Sequence, residues 1–152
     1  MRQHGFTLIE LMLVIAVIGI LAALILATVV ITRSRAQNAR LQSDLKQLRV
    51  LAETYSNQAG SYSGWGACVA DPEPTGFTCA SDAGLASSIA TLLTDIRVRQ
   101  PEKVVTTEDG DHFCMSTPLL NGKVACTDST GQLKSDLPEH SVCSTTSPTL
   151  CP

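Results

Sequence analysis

The residues from Leu11 to Ile31 form a run of 21 with no charge and no proline. A helix rising 1.5 Å per residue needs about 20 such residues to cross roughly 30 Å of hydrocarbon. A core helix that is apolar on every side needs a large protein around it, and this chain has 152 residues. A cleaved secretory signal has a shorter apolar region, about 7–15 residues, ending at a small-x-small site. The stretch Leu21 to Val30 offers no clean Ala-x-Ala. The run therefore predicts a membrane-inserted helix, and the rest of the chain must suit water.

All six cysteines follow the run: Cys68, Cys79, Cys114, Cys126, Cys143 and Cys151. An even count in a small domain, with no Cys-x-x-Cys spacing, predicts disulfides in an oxidising compartment. Mixed metal binding through His112, Cys114, His140 and Cys143 is the weaker reading, and no metal is expected. One signal points the other way. Arg33, Arg35 and Arg40 follow the run, against Arg2 before it. Positive charge favours the cytoplasmic side. Six thiols without a metal spacing are hard to place in a reducing compartment, so the head is expected outside the cytoplasm.

The apolar helix continues without a breaker into a polar segment. Leu41, Leu45, Leu48, Ala52 and Tyr55 step by 4, 3, 4 and 3, one face of a helix. One continuous helix is expected from about Phe6 to Gln58, its second half packed along that stripe. Residues 33–49 hold five bases and one acid, while from Glu53 onward there are 12 acids and five bases. The basic neck suits lipid headgroups or the acidic heads of neighbouring copies. Nucleic acid is not an expected partner, since the head lacks basic and aromatic residues interleaved.

Gly60, Gly64 and Gly66 break the helix, and residues 67–84 read as a loop holding Cys68 and Cys79. Ser81 or Asp82 would cap a second helix with the stripe Leu85, Ile89, Leu92, Leu93 and Ile96. Strands are expected at Lys103–Thr107, His112–Ser116 and Lys123–Thr127, with a further short one after the turn at residues 128–133. Six cysteines allow 15 full pairings. Nearness in sequence suggests Cys68–Cys79, Cys114–Cys126 and Cys143–Cys151. A two-residue Asn121-Gly122 turn would set Cys114 opposite Ser129. A three-residue Leu119–Asn121 turn would set it opposite Cys126.

Glu10 is the single charge between Phe6 and Thr32. A carboxylate at mid-bilayer costs about 2.5–3.5 kcal/mol on insertion scales, less near the interface. It calls for a positive partner. An amino group on Phe6 would stand about one helical turn, roughly 6 Å, from it.

The stretch Gly5-Phe6-Thr7-Leu8-Ile9-Glu10, after a short basic leader and before an unbroken apolar helix, resembles the type IV prepilin signature. That class holds type IV pilins and the pseudopilins of type II secretion. The match covers residues 2–31 closely and the remainder loosely. The resemblance implies an α+β, pilin-like fold: a long N-terminal helix on a small antiparallel β-sheet head with disulfide-closed loops. It divides the chain into a leader (1–5), a membrane and filament-core helix (6–32), its amphipathic continuation (33–58) and an extracytoplasmic head (59–152).

It further implies cleavage between Gly5 and Phe6, N-methylation of Phe6, and neutralisation of the Phe6 amine by Glu10 of a neighbouring subunit. Leu8, Ile9, Leu11, Leu13, Val14, Ile15, Gly19, Ile20, Leu21, Leu24 and Ile25 would hold the subunit in the membrane and then form the filament core. Gly19 would let the helix loosen during assembly. The helix-kinking proline of many pilins is absent, and Ala27 stands about where it is often found. The implied partners are a prepilin peptidase and methyltransferase, other copies and minor pilins, a membrane platform protein, an assembly motor, and inner-membrane lipid.

The expected function is a filament subunit, with a pseudopilin of secretion or DNA uptake as the alternative. A membrane-anchored enzyme or binding module is more distant. Outside the leader only His112 and His140 could serve a catalytic triad, and neither lies in a catalytic motif. There is no phosphate-binding loop of the Gly-Lys-Ser/Thr kind, and no cofactor is expected. Residues 107–111, Thr-Glu-Asp-Gly-Asp, lack ordered calcium-ligand spacing and read as a solvated turn.

Overall fold

The computed structural model describes residues 7–70, 83–102, 104–138, 143 and 151. Helix α1 runs unbroken over Leu8–Ala59, 52 residues. Two compact units divide the chain, Met1–Ala36 and Gln37–Pro152.

In the first unit α1 exposes its apolar residues all round: Leu8 is 73% exposed, Ile20 65% and Leu24 63%. The helix is long and apolar enough to cross a membrane. Its hydroxyls bond within the helix. Thr28 Oγ1 donates to the Ile25 carbonyl and Thr32 Oγ1 to that of Thr28, each at 2.9 Å. This removes their need for water, so they are compatible with hydrocarbon.

In the second unit the rest of α1 joins α2 (Trp65–Ala70), α3 (Ala83–Arg99) and four strands. These are β1 (Val105–Glu108), β2 (Phe113–Pro118), β3 (Val124–Asp128) and β4 (Leu133–Leu137), an antiparallel sheet in sequence order. The expected α+β arrangement is therefore present. Leu41, Leu45, Leu48 and Ala52 are fully buried, as their spacing requires. They share one core with Trp65, Leu85, Ile89, Leu93, Ile96, Phe113, Met115 and Ala125. Tyr55 lies at the edge of this core, its hydroxyl donating to the Ser63 carbonyl at 2.9 Å.

Residues 65–70 are helical, where the sequence suggested loop. The cause is distant. The Glu108 carboxylate, at the end of β1, accepts the N–H groups of Gly64 at 2.6 Å and Gly66 at 2.5 Å. It satisfies donors that a helix N-terminus leaves unpaired and adds a favourable negative charge there. Gly64 has φ +92°, and a Cβ there would meet the Tyr55 hydroxyl at 2.9 Å. Buried Trp65 anchors the turn, its Nε1 3.3 Å from Met115 Sδ. The expected caps at Ser81 and Asp82 lie outside the described residues.

The β2–β3 register falls between the two considered from sequence. Cys114 faces Asp128 and Ser116 faces Cys126. Leu119 N donates to Lys123 O at 2.7 Å and Gly122 N to Leu119 O at 3.1 Å, giving a three-residue turn at 120–122. The Leu120 N–H donates to Asn38 Oδ1 of α1 at 2.9 Å, which fixes the turn.

Both faces of the central strands are covered. Phe113 and Met115 of β2 and Ala125 of β3 join the helix-side core. Cys114 and Cys126 belong to a second small core with Cys143 and Cys151, against which Leu137 packs. The disulfides are Cys114–Cys143 and Cys126–Cys151, which corrects two of the expected pairs. The register explains why. Cys114 and Cys126 are diagonal neighbours on one face, Sγ atoms 3.4 Å apart, and each bonds outward, to Cys143 and Cys151. Cys68 is disulfide-bonded, while Cys79, its expected partner, lies outside the described residues. Hydrogen bonds hold the same segment. Asp128 Oδ2 accepts the Cys151 N–H at 3.0 Å, Lys134 Nζ donates to the Cys151 carbonyl at 3.1 Å, and Ser116 Oγ accepts the Cys143 N–H at 3.3 Å.

Candidate assembly site

Glu10 sits in the first turn of α1, closed by Thr7. Glu10 Oε2 accepts the Thr7 N–H and the Thr7 hydroxyl, each at 2.9 Å, and Thr7 Oγ1 accepts the Glu10 N–H at 3.4 Å. This is a capping box: Thr7 caps the helix and the carboxylate three residues on reaches back. Sequence reasoning singled out Glu10 and missed Thr7. The signal was the Thr-x-x-Glu spacing itself. Glu10 Oε1 has no hydrogen-bond partner among the described residues. Gly5 and Phe6 lie outside them.

Leu8, Ile9, Leu11, Leu13, Val14, Ile15, Ile20, Leu21, Leu24 and Ile25 are exposed on α1, with Gly19 in the same unbroken helix. A Cβ built at Gly19 meets nothing within 4 Å. Among the described residues, α1 thus exposes an apolar surface from Leu8 to Ile31, with the one carboxylate of Glu10 near its N-terminal end.

The second unit carries a charge cluster in which Asp44 is buried and Asp95 half-exposed. Arg99 Nη1 lies 3.2 Å from Asp44 Oδ2 and 2.6 Å from Asp95 Oδ2. Burial raises the Asp44 carboxyl above its ordinary range, and repulsion from Asp95 adds to this against the pull of Arg99 and Arg40. The Arg99 hydrogen bond holds Asp95 below its ordinary value. The 107–111 turn is closed by Asp109 Oδ1, which accepts the N–H groups of His112 at 2.8 Å and Asp111 at 3.2 Å. Cys114 and Cys143, weighed as metal ligands, are bonded to each other.

The prokaryotic N-terminal methylation motif matches residues 1–26. The N-terminal segment of the chain carries the methylation motif of the type IV prepilin-like proteins. Its long apolar N-terminal helix and four-stranded antiparallel sheet form a pilin-like α+β fold. A probable minor fimbrial protein of Dichelobacter nodosus is 38% identical over 82 residues, 54% of this chain and 52% of that protein. The type IV major pilin protein PilA of Myxococcus xanthus is 37% identical over 62 residues, 41% of this chain and 28% of PilA. The type II secretion system core protein G of Klebsiella pneumoniae is 34% identical over 61 residues, 40% of this chain and 44% of the relative. This prepilin-like chain spans about half the length, or less, of these curated relatives. No solved structure matches it.

Proposed function

We propose that the chain is a structural subunit of a type IV pilus-like filament, processed between Gly5 and Phe6 and methylated on Phe6. One observation carries the reading: an apolar cylinder whose single carboxylate is held back over the helix start by Thr7, with one oxygen open. Before assembly the helix anchors the subunit in the inner membrane. The disulfide-bonded head stands outside the cytoplasm, where such bonds persist. In this state the capping box reduces the penalty on Glu10. During assembly the apolar surface moves from lipid to neighbouring helices, and the open Glu10 oxygen meets the Phe6 amine of an adjacent copy. Breaking a buried pair of this kind costs about 3–5 kcal/mol. The pair therefore selects one axial register.

The partners are a prepilin peptidase and methyltransferase, further copies and minor pilins, a platform protein and a motor. A pseudopilin is the second reading, favoured by the likeness to the secretion core protein G.

The test is the N-terminal peptide by tandem mass spectrometry, on sheared filaments and on membranes, for the wild type and Glu10→Ala. The wild type is expected to begin at methylated Phe6 in the sheared fraction. Glu10→Ala is expected to be processed and inserted, with incorporation down about a hundredfold or more, on the scale of a broken buried pair. Normal incorporation of Glu10→Ala would refute the pairing. Processed wild-type chain confined to membranes would favour the pseudopilin.

A further inference from the structure

Six arginines lie among the described residues, and four are engaged by the chain itself. Arg49 pairs with Glu53 at 2.6 Å, Arg97 Nη2 donates to the Ala70 carbonyl at 3.4 Å, and Arg99 pairs with Asp44 and Asp95. Arg40 interacts electrostatically with the same two aspartates. Arg33 and Arg35 are exposed and have no hydrogen-bond or ion-pair partner among the described residues. They follow directly on the apolar run that ends at Ile31.

We propose that Arg33 and Arg35 form a collar that binds the phosphates of membrane lipids around α1 and sets the depth at which the subunit waits. The inference rests on the reading that the unassembled subunit sits in a bilayer.

Three features select a lipid surface over a protein. The first is height. At 1.5 Å per residue, Arg33 and Arg35 stand about 3 and 6 Å past Ile31. The headgroup zone outside the hydrocarbon is about 5–7 Å deep on each side, so both residues fall within it. The second is direction. Two residues turn a helix by about 200°, so the guanidiniums leave opposite sides at nearly one height. A protein partner approaches from one side, whereas a plane of phosphates surrounds the helix. The third is chemistry. Arginine forms paired hydrogen bonds to phosphate oxygens. No acid lies between Glu10 and Asp44 to repel such a surface. The neighbouring Ser34 hydroxyl donates to the Ile31 carbonyl at 3.0 Å and does not compete for the phosphate. Leaving the membrane for a filament then requires release of these phosphates as well as transfer of the apolar surface.

The test uses the full chain with isotope-labelled arginine, diluted in phosphatidylethanolamine–phosphatidylglycerol bilayers in phosphate-free buffer. Carbon–phosphorus dephasing in solid-state NMR reads contact between the arginine Cζ and lipid phosphorus. Strong dephasing is expected in the wild type and in R40Q, and its loss in R33Q/R35Q. An intact mass carrying all native disulfides checks that the double variant has folded. Undiminished dephasing in the folded double variant would overturn the proposal. So would its absence in wild-type chain that resists alkaline carbonate extraction, and cross-linking of these arginines to acids of a second copy would then identify a protein partner. A wild-type chain extracted by carbonate would instead refute the membrane reading on which the proposal stands.

Discussion

Asp44 shows how one residue can sit against the pattern around it. It lies on α1 beside the stripe of Leu41, Leu45 and Leu48, and it is buried with them at 7% exposure. Its folded-state pKa is raised, chiefly by desolvation, although Arg99 is 3.2 Å away. The folded state therefore holds this proton more tightly than the unfolded chain does. The penalty for ionising Asp44 is present at neutral pH and fades as pH falls through the raised value. Asp95 has the opposite sign: its contribution is present above the unfolded value and is lost as pH falls through its lowered one. We expect the Tm of Asp44→Asn, relative to wild type, to be more favourable at neutral pH than near pH 3.8. A difference that stays constant, or widens in acid, would contradict this account. The stripe itself was legible because its leucines repeat with the helix. The aspartate's place was not, since its partner is 55 residues away. Thr7 is the contrasting case: its capping partner is three residues on, so the spacing carried the information.

At the scale of elements, legibility follows whether a segment is stabilised by neighbours in sequence. Helix α1 and helix α3 carry their own apolar period, and both were expected where they stand. Helix α2 has six residues, too few to nucleate alone, and depends on Glu108 from β1 and on buried Trp65. Nothing within residues 65–70 announces Glu108. The β2–β3 turn is a similar case, since Asn38 of α1 fixes it from 82 residues away. The packed stripe of α1 should dominate the head's stability. Leu45→Ala removes a fully buried side chain and should destabilise the head by about 2–5 kcal/mol. Leu21→Ala, on the exposed apolar segment, should leave head unfolding unchanged. Denaturant titration followed by the single tryptophan, Trp65, separates the two; equal midpoints would show that the stripe is not the core.

Across the whole molecule, the sheet has a core on each face. The helices form one; the disulfides Cys114–Cys143 and Cys126–Cys151, with Leu137 packed against them, form the other. The cysteine count predicted cross-linking, but only the strand register decides which sulfurs meet. Closing loops with sequence separations of 29 and 25 should each stabilise by about 2–4 kcal/mol. We expect Cys114→Ser/Cys143→Ser to lower the midpoint of Trp65-monitored unfolding by that amount. Reductant should lower the wild type further, since it opens Cys126–Cys151 and the Cys68 bridge as well. A double variant as stable as wild type would show that the sheet's outer face needs no cover.

The two bridges also interleave: the first cysteine of the four joins the third, and the second joins the fourth. On the proposed export of the head, Cys114 and Cys126 would emerge before either of these partners. An oxidant that joins thiols in order of arrival makes the wrong pair first, and leaves Cys143 and Cys151 for each other. Reaching the native connectivity then requires bonds to be exchanged as well as made. The proposed export would accordingly tie supply of the folded head to the isomerase capacity of the receiving compartment, and not to oxidising power alone.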